Sequence, residues 1–317
     1  MRQGFVNFLS FLLFFSLGKS AVAGPWFTGP LLAPSGHTIP NGHTNLELYT
    51  FITDIEGIYN SFGKVTHTPG DKNYVESIIF SHGITNKMDV QFVLPYAYNR
   101  NQGSSSHRLS DTSAAIGFQL FEQKQSRWRP DFRFTIQEII PTGRFEKLDF
   151  FENGTDSTGL GSYQTALNLN FQLLSQLSAD HYLRTRLSLG YVDASKAHIS
   201  GLSSYGGSDT TDGTIRPGNM ASIDLAGELN LTQHWVAVME TFVSKRHGSL
   251  FNGYPGVDEL GNPAIVGHDM SKQVTFAPAL EYNFNANVGI IAGVWFIVNG
   301  RETAEFSSSI IALNMYW

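Results

Sequence analysis

The segment Glu305–Trp317, EFSSSIIALNMYW, constrains this chain more than any other. Read in steps of two, Trp317, Met315, Leu313 and Ile311 fall on one face, and Tyr316, Asn314, Ala312 and Ile310 on the other. That period is the period of a β-strand, because successive Cβ atoms leave a strand in opposite directions. The run is about as long as a tilted strand needs to cross a bilayer, ~9–11 residues. It carries one continuous apolar face and an aromatic at its end, as lipid-facing strands do. Chain ends of soluble domains commonly fray, whereas the last strand of a barrel pairs with the first and leaves no open edge. The segment is therefore expected to close a transmembrane β-barrel.

Eleven more segments with strand periodicity precede it, at about Asn45–Thr53, Tyr74–Ile84, Met88–Tyr98, Ser110–Phe121, Pro130–Ile140, Gly161–Leu174, His181–Val192, Met220–Leu231, Trp235–Ser244, Lys272–Phe284 and Val288–Val298. The clearest sets Tyr163, Thr165, Leu167, Leu169 and Phe171 against Gln164, Ala166, Asn168, Asn170 and Gln172. Connections after the even segments are short: around Asn86, Gln123–Trp128, Ser175–Asp180, Gln233 and Ala286. Several after the odd ones are long and polar, namely Thr142–Leu160, Asp193–Asn219 and Lys245–Ser271; Asn99–Leu109 is intermediate and Asn299-Gly300 reads as a tight hairpin. Short turns at one end and long loops at the other are the pattern of outer-membrane barrels. A β-sandwich has no reason to produce it. The fold expected is all-β: a closed, antiparallel, up-and-down transmembrane β-barrel of about 12 strands over residues 44–317, in the bacterial outer membrane. Trp235, Tyr191, Tyr163, Phe284 and Trp317 fall near strand ends, where aromatic girdles sit. Two residues strain the pattern: Pro278 lies mid-strand and should mark a bulge, and Glu138 shares its parity with lipid-facing Phe132, Phe134 and Ile136, so it belongs near the interface.

Residues 1–23 read as a signal peptide, with Arg2 before an apolar core at Phe8–Leu17 and Ala21-Val22-Ala23 at the cleavage site. Residues 24–43 are dense in Gly and Pro, which excludes regular structure, yet they include Trp26, Phe27, Leu31 and Leu32. They are expected in the periplasm or folded into the barrel mouth as a plug. With Arg2 and Lys19 set aside, 19 basic residues remain against 27 acidic ones, a formal charge of −8. An acidic chain without a basic cluster argues against nucleic-acid binding. The chain has no cysteine, so no disulfide framework or lipoprotein anchor is open to it.

Twelve strands lie between barrels of about eight, filled by side chains, and porins of about sixteen, which enclose open channels. Parity sends Arg133, Arg184, Arg186, Asp224, Glu228, Glu240 and Glu281 inward, with Asp89. They either pair across a nearly closed lumen or line a polar constriction that selects a solute. The same parity sends Tyr49, Phe51, Phe242, Ile291 and Trp295 inward, along with Val236, Val238 and Ile297. That wall either packs against the apolar part of residues 24–43 or offers a path to an apolar or aromatic solute.

No nucleophile elbow, HExxH, phosphate-binding loop or dinucleotide fingerprint is present, so no catalytic residue, cofactor or metal site is assigned. Ser81-His82 cannot act as a nucleophile–base pair, because adjacent strand residues face opposite ways. Asp209-Thr-Thr-Asp212-Gly213 lacks the terminal glutamate of a calcium loop.

Thr28–Gly36, TGPLLAPSG, followed by Pro40-Asn41-Gly42 and the LELY opening of the first strand, resembles the phenol meta-cleavage-pathway outer-membrane protein family. Pro141-Thr142-Gly143 and GVWFIVNGR at Gly293–Arg301 resemble it too. The resemblance implies an outer-membrane barrel that passes aromatic or other hydrophobic compounds, with no catalytic residues. The expected function is passive passage of small hydrophobic or aromatic solutes. The expected partners are outer-membrane lipid, the solute, and the barrel-assembly machinery through the C-terminal strand. The alternative is a non-conducting surface barrel whose loops, especially Lys245–Ser271, bind a partner.

Overall fold

The computed structural model describes residues 25–124 and 129–317. The signal-peptide reading, and positions 125–128 of the expected Gln123–Trp128 turn, lie outside the described residues. The strands are β1 (Thr44–Tyr59), β2 (Val65–Thr85), β3 (Met88–Asn101), β4 (Ser104–Leu109), β5 (Thr112–Phe121), β6 (Asp131–Ile140), β7 (Gln164–Gln176), β8 (Tyr182–Ala194), β9 (Ala197–Ser200), β10 (Asp212–Arg216), β11 (Met220–Asn230), β12 (Trp235–Arg246), β13 (Leu250–Tyr254), β14 (Ser271–Phe276), β15 (Ala279–Asn283), β16 (Val288–Arg301) and β17 (Thr303–Tyr316).

Twelve antiparallel staves form the wall, with β14 and β15 together making one of them. The ring closes where β17 pairs with β1, Leu48 opposite Leu313 and Phe51 opposite Ile310. Thr44 and Trp317 seal that seam by exchanging backbone hydrogen bonds of 2.7 and 3.0 Å. Closure leaves no unpaired strand edge, the condition for a sheet to sit in hydrocarbon. Outward positions stay exposed and apolar all round, from Leu48 and Ile78 through Phe92, Ile136 and Leu225 to Ile311. Trp235, Tyr282 and Phe284 pack edge to face at the short-turn rim, while Tyr163 and Tyr191 sit exposed towards the other. Glu138 keeps its outward parity near the top of β6 and accepts a hydrogen bond from Thr165 at 2.7 Å, which satisfies part of its charge beside the long loops.

The wall departs from simple strands at three places. The stave predicted over Lys272–Phe284 breaks at Ala277-Pro278. There the Ala277 N–H reaches the Glu240 carbonyl at 2.9 Å, and Val294 donates to the Pro278 carbonyl at 3.1 Å. Proline has no N–H for the ladder, so the strand stops and restarts around it. β1 and β2 extend well beyond the predicted segments and form a hairpin turning at 60–64. A bulge sets Ile55 opposite Asp71 and Gly57 opposite His67, leaving 68–70 against a single residue and absorbing Pro69-Gly70. Asn299-Gly300 is not the last hairpin turn: both residues pair with β14, and the chain reverses at Glu302, whose φ is 47°.

The long loops are more structured than their composition suggested. β4 folds back on β3, and β9, β10 and β13 form a separate small sheet. Ile199, Ile215 and Tyr205 are buried beneath it with Phe145, Leu160 and Phe251 packed alongside. The Tyr205 hydroxyl donates to the Leu160 carbonyl at 2.7 Å. Burial pushes that phenol up to about 12, so it remains a donor across the physiological range.

Candidate functional site

Residues 25–43 occupy the short-turn half of the barrel interior. The segment carries four prolines and no Lys, Arg, Asp or Glu. Without regular structure its backbone N–H groups find few acceptors within the segment, so acceptors must come from elsewhere. Inward-facing wall side chains supply them. Thr28 and Gly29 donate to the Glu281 carboxylate. Leu32 and Ala33 donate to Glu240, Leu32 at 3.0 Å. Thr38 donates to the Gln119 amide oxygen at 2.7 Å and Ile39 to Asp89 at 2.9 Å. The path enters beside His234 and Asn283, rises to Leu31–Pro34 against β12, and returns across β7, β5 and β3 to the start of β1. On the return it passes so close to Gly83 that any Cβ there would collide with the Pro40 carbonyl.

All seven polar positions read from parity face the interior, and the structure divides them among separate tasks. Glu228, fully buried, is held by Arg184, whose Nε donates at 2.6 Å, and lies 3.3 Å from Arg186 Nε. Both arginines also reach the segment: Arg184 stacks over the Phe27 ring at 4.4 Å, and Arg186 Nη1 donates to the Ala33 carbonyl at 3.0 Å. Arg133 pairs with Asp89 at 2.6 Å. Glu240 and Glu281 receive the segment's backbone, and Asp224 meets the Glu240 carboxyl. Glu228 thus pairs with Arg184 and Arg186, and Arg133 with Asp89, while Glu240 and Glu281 anchor main chain.

The apolar wall is occupied. Leu31 of the segment is buried with Val236, Val238, Ile291, Ile310 and Ala312, and Tyr49, Phe51 and Trp295 pack against that cluster with Phe27 and Leu32. Phe242 lies apart from it, on the far side of the segment's tip. There a cavity of about 490 Å³ opens, lined by Leu32, Phe242, Trp295, Asp224, Arg133 and Gln137 among others. Among the described residues no group of three His, Cys, Asp or Glu side chains is placed to hold a metal ion. Sequence reasoning missed Gln119 and Glu47. Both were accessible by parity, Glu47 because it lies two residues before inward Tyr49; its carboxylate takes the Asn45 amide at 2.7 Å.

No family model matches the chain, and no curated protein matches it in sequence. Among solved structures, an outer membrane channel from Pseudomonas putida F1 superposes with a TM-score of 0.66 at 11% identity, covering 90% of this chain and 100% of that one. The fold is shared. Two others are more distant: the NanC porin, with a TM-score of 0.45 at 9% identity over 85% of this chain and 98% of that one, and a mutant of the TodX monoaromatic hydrocarbon channel, 0.43 at 12% over 88% and 90%. The closed ring, its apolar outer belt and its short-turn and long-loop rims make the chain a bacterial outer-membrane β-barrel.

Proposed function

We propose that this barrel is a passive channel for small hydrophobic or aromatic solutes, and that residues 25–43 act as its gate. The observation that carries the reading is the interior wall of Tyr49, Phe51, Ile291 and Trp295. It is apolar where a barrel holding only water would be polar, and a detachable segment, not the opposite wall, covers it. Apart from the peptide bond that joins it to β1, the segment is held by hydrogen bonds and packing, so its displacement bares a continuous apolar strip. A solute would enter past the long loops, rest in the outer cavity, and leave along that strip. That the Pseudomonas putida barrel of the same fold is a channel supports the reading. The exposed loop residues Phe150, Phe151, Leu260 and Ile265 favour the second reading, a non-conducting barrel that docks a partner from its surface.

The test is conductance of the refolded protein, without residues 1–23, in a planar bilayer, together with uptake of a neutral aromatic by cells. Stepwise conductance that the aromatic partly blocks is expected. Replacing both Phe51 and Trp295 by alanine should reduce uptake several-fold while the barrel stays folded. Unchanged uptake in that variant would remove the apolar strip from the pathway. Absence of conductance with and without residues 25–43 would favour the docking reading.

A further inference from the structure

The outer cavity contains one acceptor that nothing in the protein satisfies. Asp224 is only 6% exposed, it lines the cavity, and its Oδ1 has no hydrogen-bond partner. Of the nearby cations, Arg133 pairs with Asp89 and Arg184 with Glu228, while Arg186, 3.3 Å from Glu228, reaches Asp224 only through its charge and gives Oδ1 no hydrogen bond. Its close neighbour is another carboxyl, Glu240, which already receives Leu32 and Ala33. A buried acceptor without a donor is costly, and a second carboxyl beside it adds like-charge repulsion. A cation placed at Oδ1 relieves both.

The aromatic surroundings narrow what that cation is. Phe242 stands directly across the strand pair from Asp224. The Trp295 ring is locked by its Nε1–H to Thr275 at 2.8 Å and by the edge-on Phe306 ring. A cavity that carries a carboxylate and two aromatic side chains suits an ammonium on an apolar body, the charge meeting the carboxylate and the body burying apolar surface against the rings. A bare metal ion has no use for the rings, and an anion meets Asp224. The volume lies within the small-molecule range of roughly 300–1,000 Å³.

We infer that the outer cavity binds small organic ammonium ions, with the charged nitrogen at Asp224 Oδ1 and the apolar body against Phe242 and Trp295. The inference rests on the channel reading and names a solute class for it.

Three one-ring probes that differ in charge test it: benzylammonium, benzyl alcohol and benzoate, titrated calorimetrically into the full barrel in detergent micelles. Benzylammonium is expected to bind at least about tenfold more tightly than benzoate. Asp224→Asn should weaken benzylammonium about tenfold and leave benzyl alcohol unchanged, while Phe242→Ala should weaken both. Equal binding of benzoate and benzylammonium by the unmodified protein overturns the inference, as does an Asp224→Asn variant that keeps full affinity for the amine. The charge series on the unmodified protein decides the matter even if the Asn variant does not fold. Calorimetry reports the site and bilayer conductance reports the channel, so either can fail without the other.

Discussion

Glu228→Ala is expected to be the most destabilising single substitution in the barrel, by about 3–5 kcal/mol, the usual cost of removing one partner from a buried ion pair. Glu228 is fully buried, and it is the carboxylate on which both Arg184 and Arg186 converge. Removing it leaves two buried guanidinium groups without the carboxylate they pair with. The exposed pair Lys72–Asp54 offers the contrast. Its 2.8 Å contact looks equally good, but both side chains are well exposed, and pairs of that kind contribute roughly 0–1 kcal/mol. Lys72→Ala should therefore be nearly silent. Urea unfolding in lipid vesicles, followed by tryptophan fluorescence, separates the two cases. A Glu228→Ala barrel within about 1 kcal/mol of the parent would mean that water reaches the cluster and screens it. Replacing Glu228, Arg184 and Arg186 together by methionine should recover part of the loss, because the two guanidinium groups are then not left without their paired carboxylate.

The second large effect concerns the lumen segment. Glu240→Ala removes the acceptor for both Leu32 and Ala33, and each buried donor left unsatisfied costs about 1–3 kcal/mol. Loss of about 3 kcal/mol shifts the balance between seated and released segment by roughly a hundredfold. A single cysteine at Leu31, in a chain that has none, makes the release measurable. In the parent barrel Leu31 is 3% exposed, and a cysteine there should react slowly with a soluble maleimide. In the Glu240→Ala background the reaction should accelerate by one to two orders of magnitude, with longer open times in the bilayer. Glu240→Gln, which keeps an acceptor oxygen, should fall between. If labelling is equally slow in the alanine variant, Leu31 and its hydrophobic neighbours hold the tip without help from the carboxylate.

Most of the wall was legible because a lipid-facing strand must alternate. One face meets hydrocarbon and the other meets polar groups, so parity alone sent Arg133, Arg184, Arg186, Asp224, Glu228, Glu240 and Glu281 inward. What parity carries no information about is partnership. Nothing in the local sequence says that Arg133 takes Asp89 while Arg184 and Arg186 share Glu228, since those pairs depend on how distant strands align. The short sheet of β9, β10 and β13 went unread for a different reason. It lies above the membrane, where no hydrocarbon enforces alternation, and its buried face is a few residues such as Ile199 and Ile215 scattered among Gly, Ser and Asp. The upper part of β2 was hidden because Pro69-Gly70 reads as a turn, and only the bulge opposite Glu56 keeps it within a strand. Positions 24–43 gave away their lack of regular structure through Gly and Pro. The place of residues 25–43 in the lumen became visible only with the carboxylates that receive them.

The order in which the segment finds those carboxylates follows from the chain itself. Its last residues bind early strands, Ile39 to Asp89 at a separation of 50 residues and Thr38 to Gln119 at 81. Its first residues wait for late ones, Ala33 for Glu240 at 207 and Thr28 for Glu281 at 253. Contacts between residues that far apart form late, after the intervening loops have closed. A barrel interrupted before β12 therefore holds the base of its stopper but lacks the Glu240 and Glu281 anchors of the tip, so full seating of residues 25–34 reports that the last staves are in place.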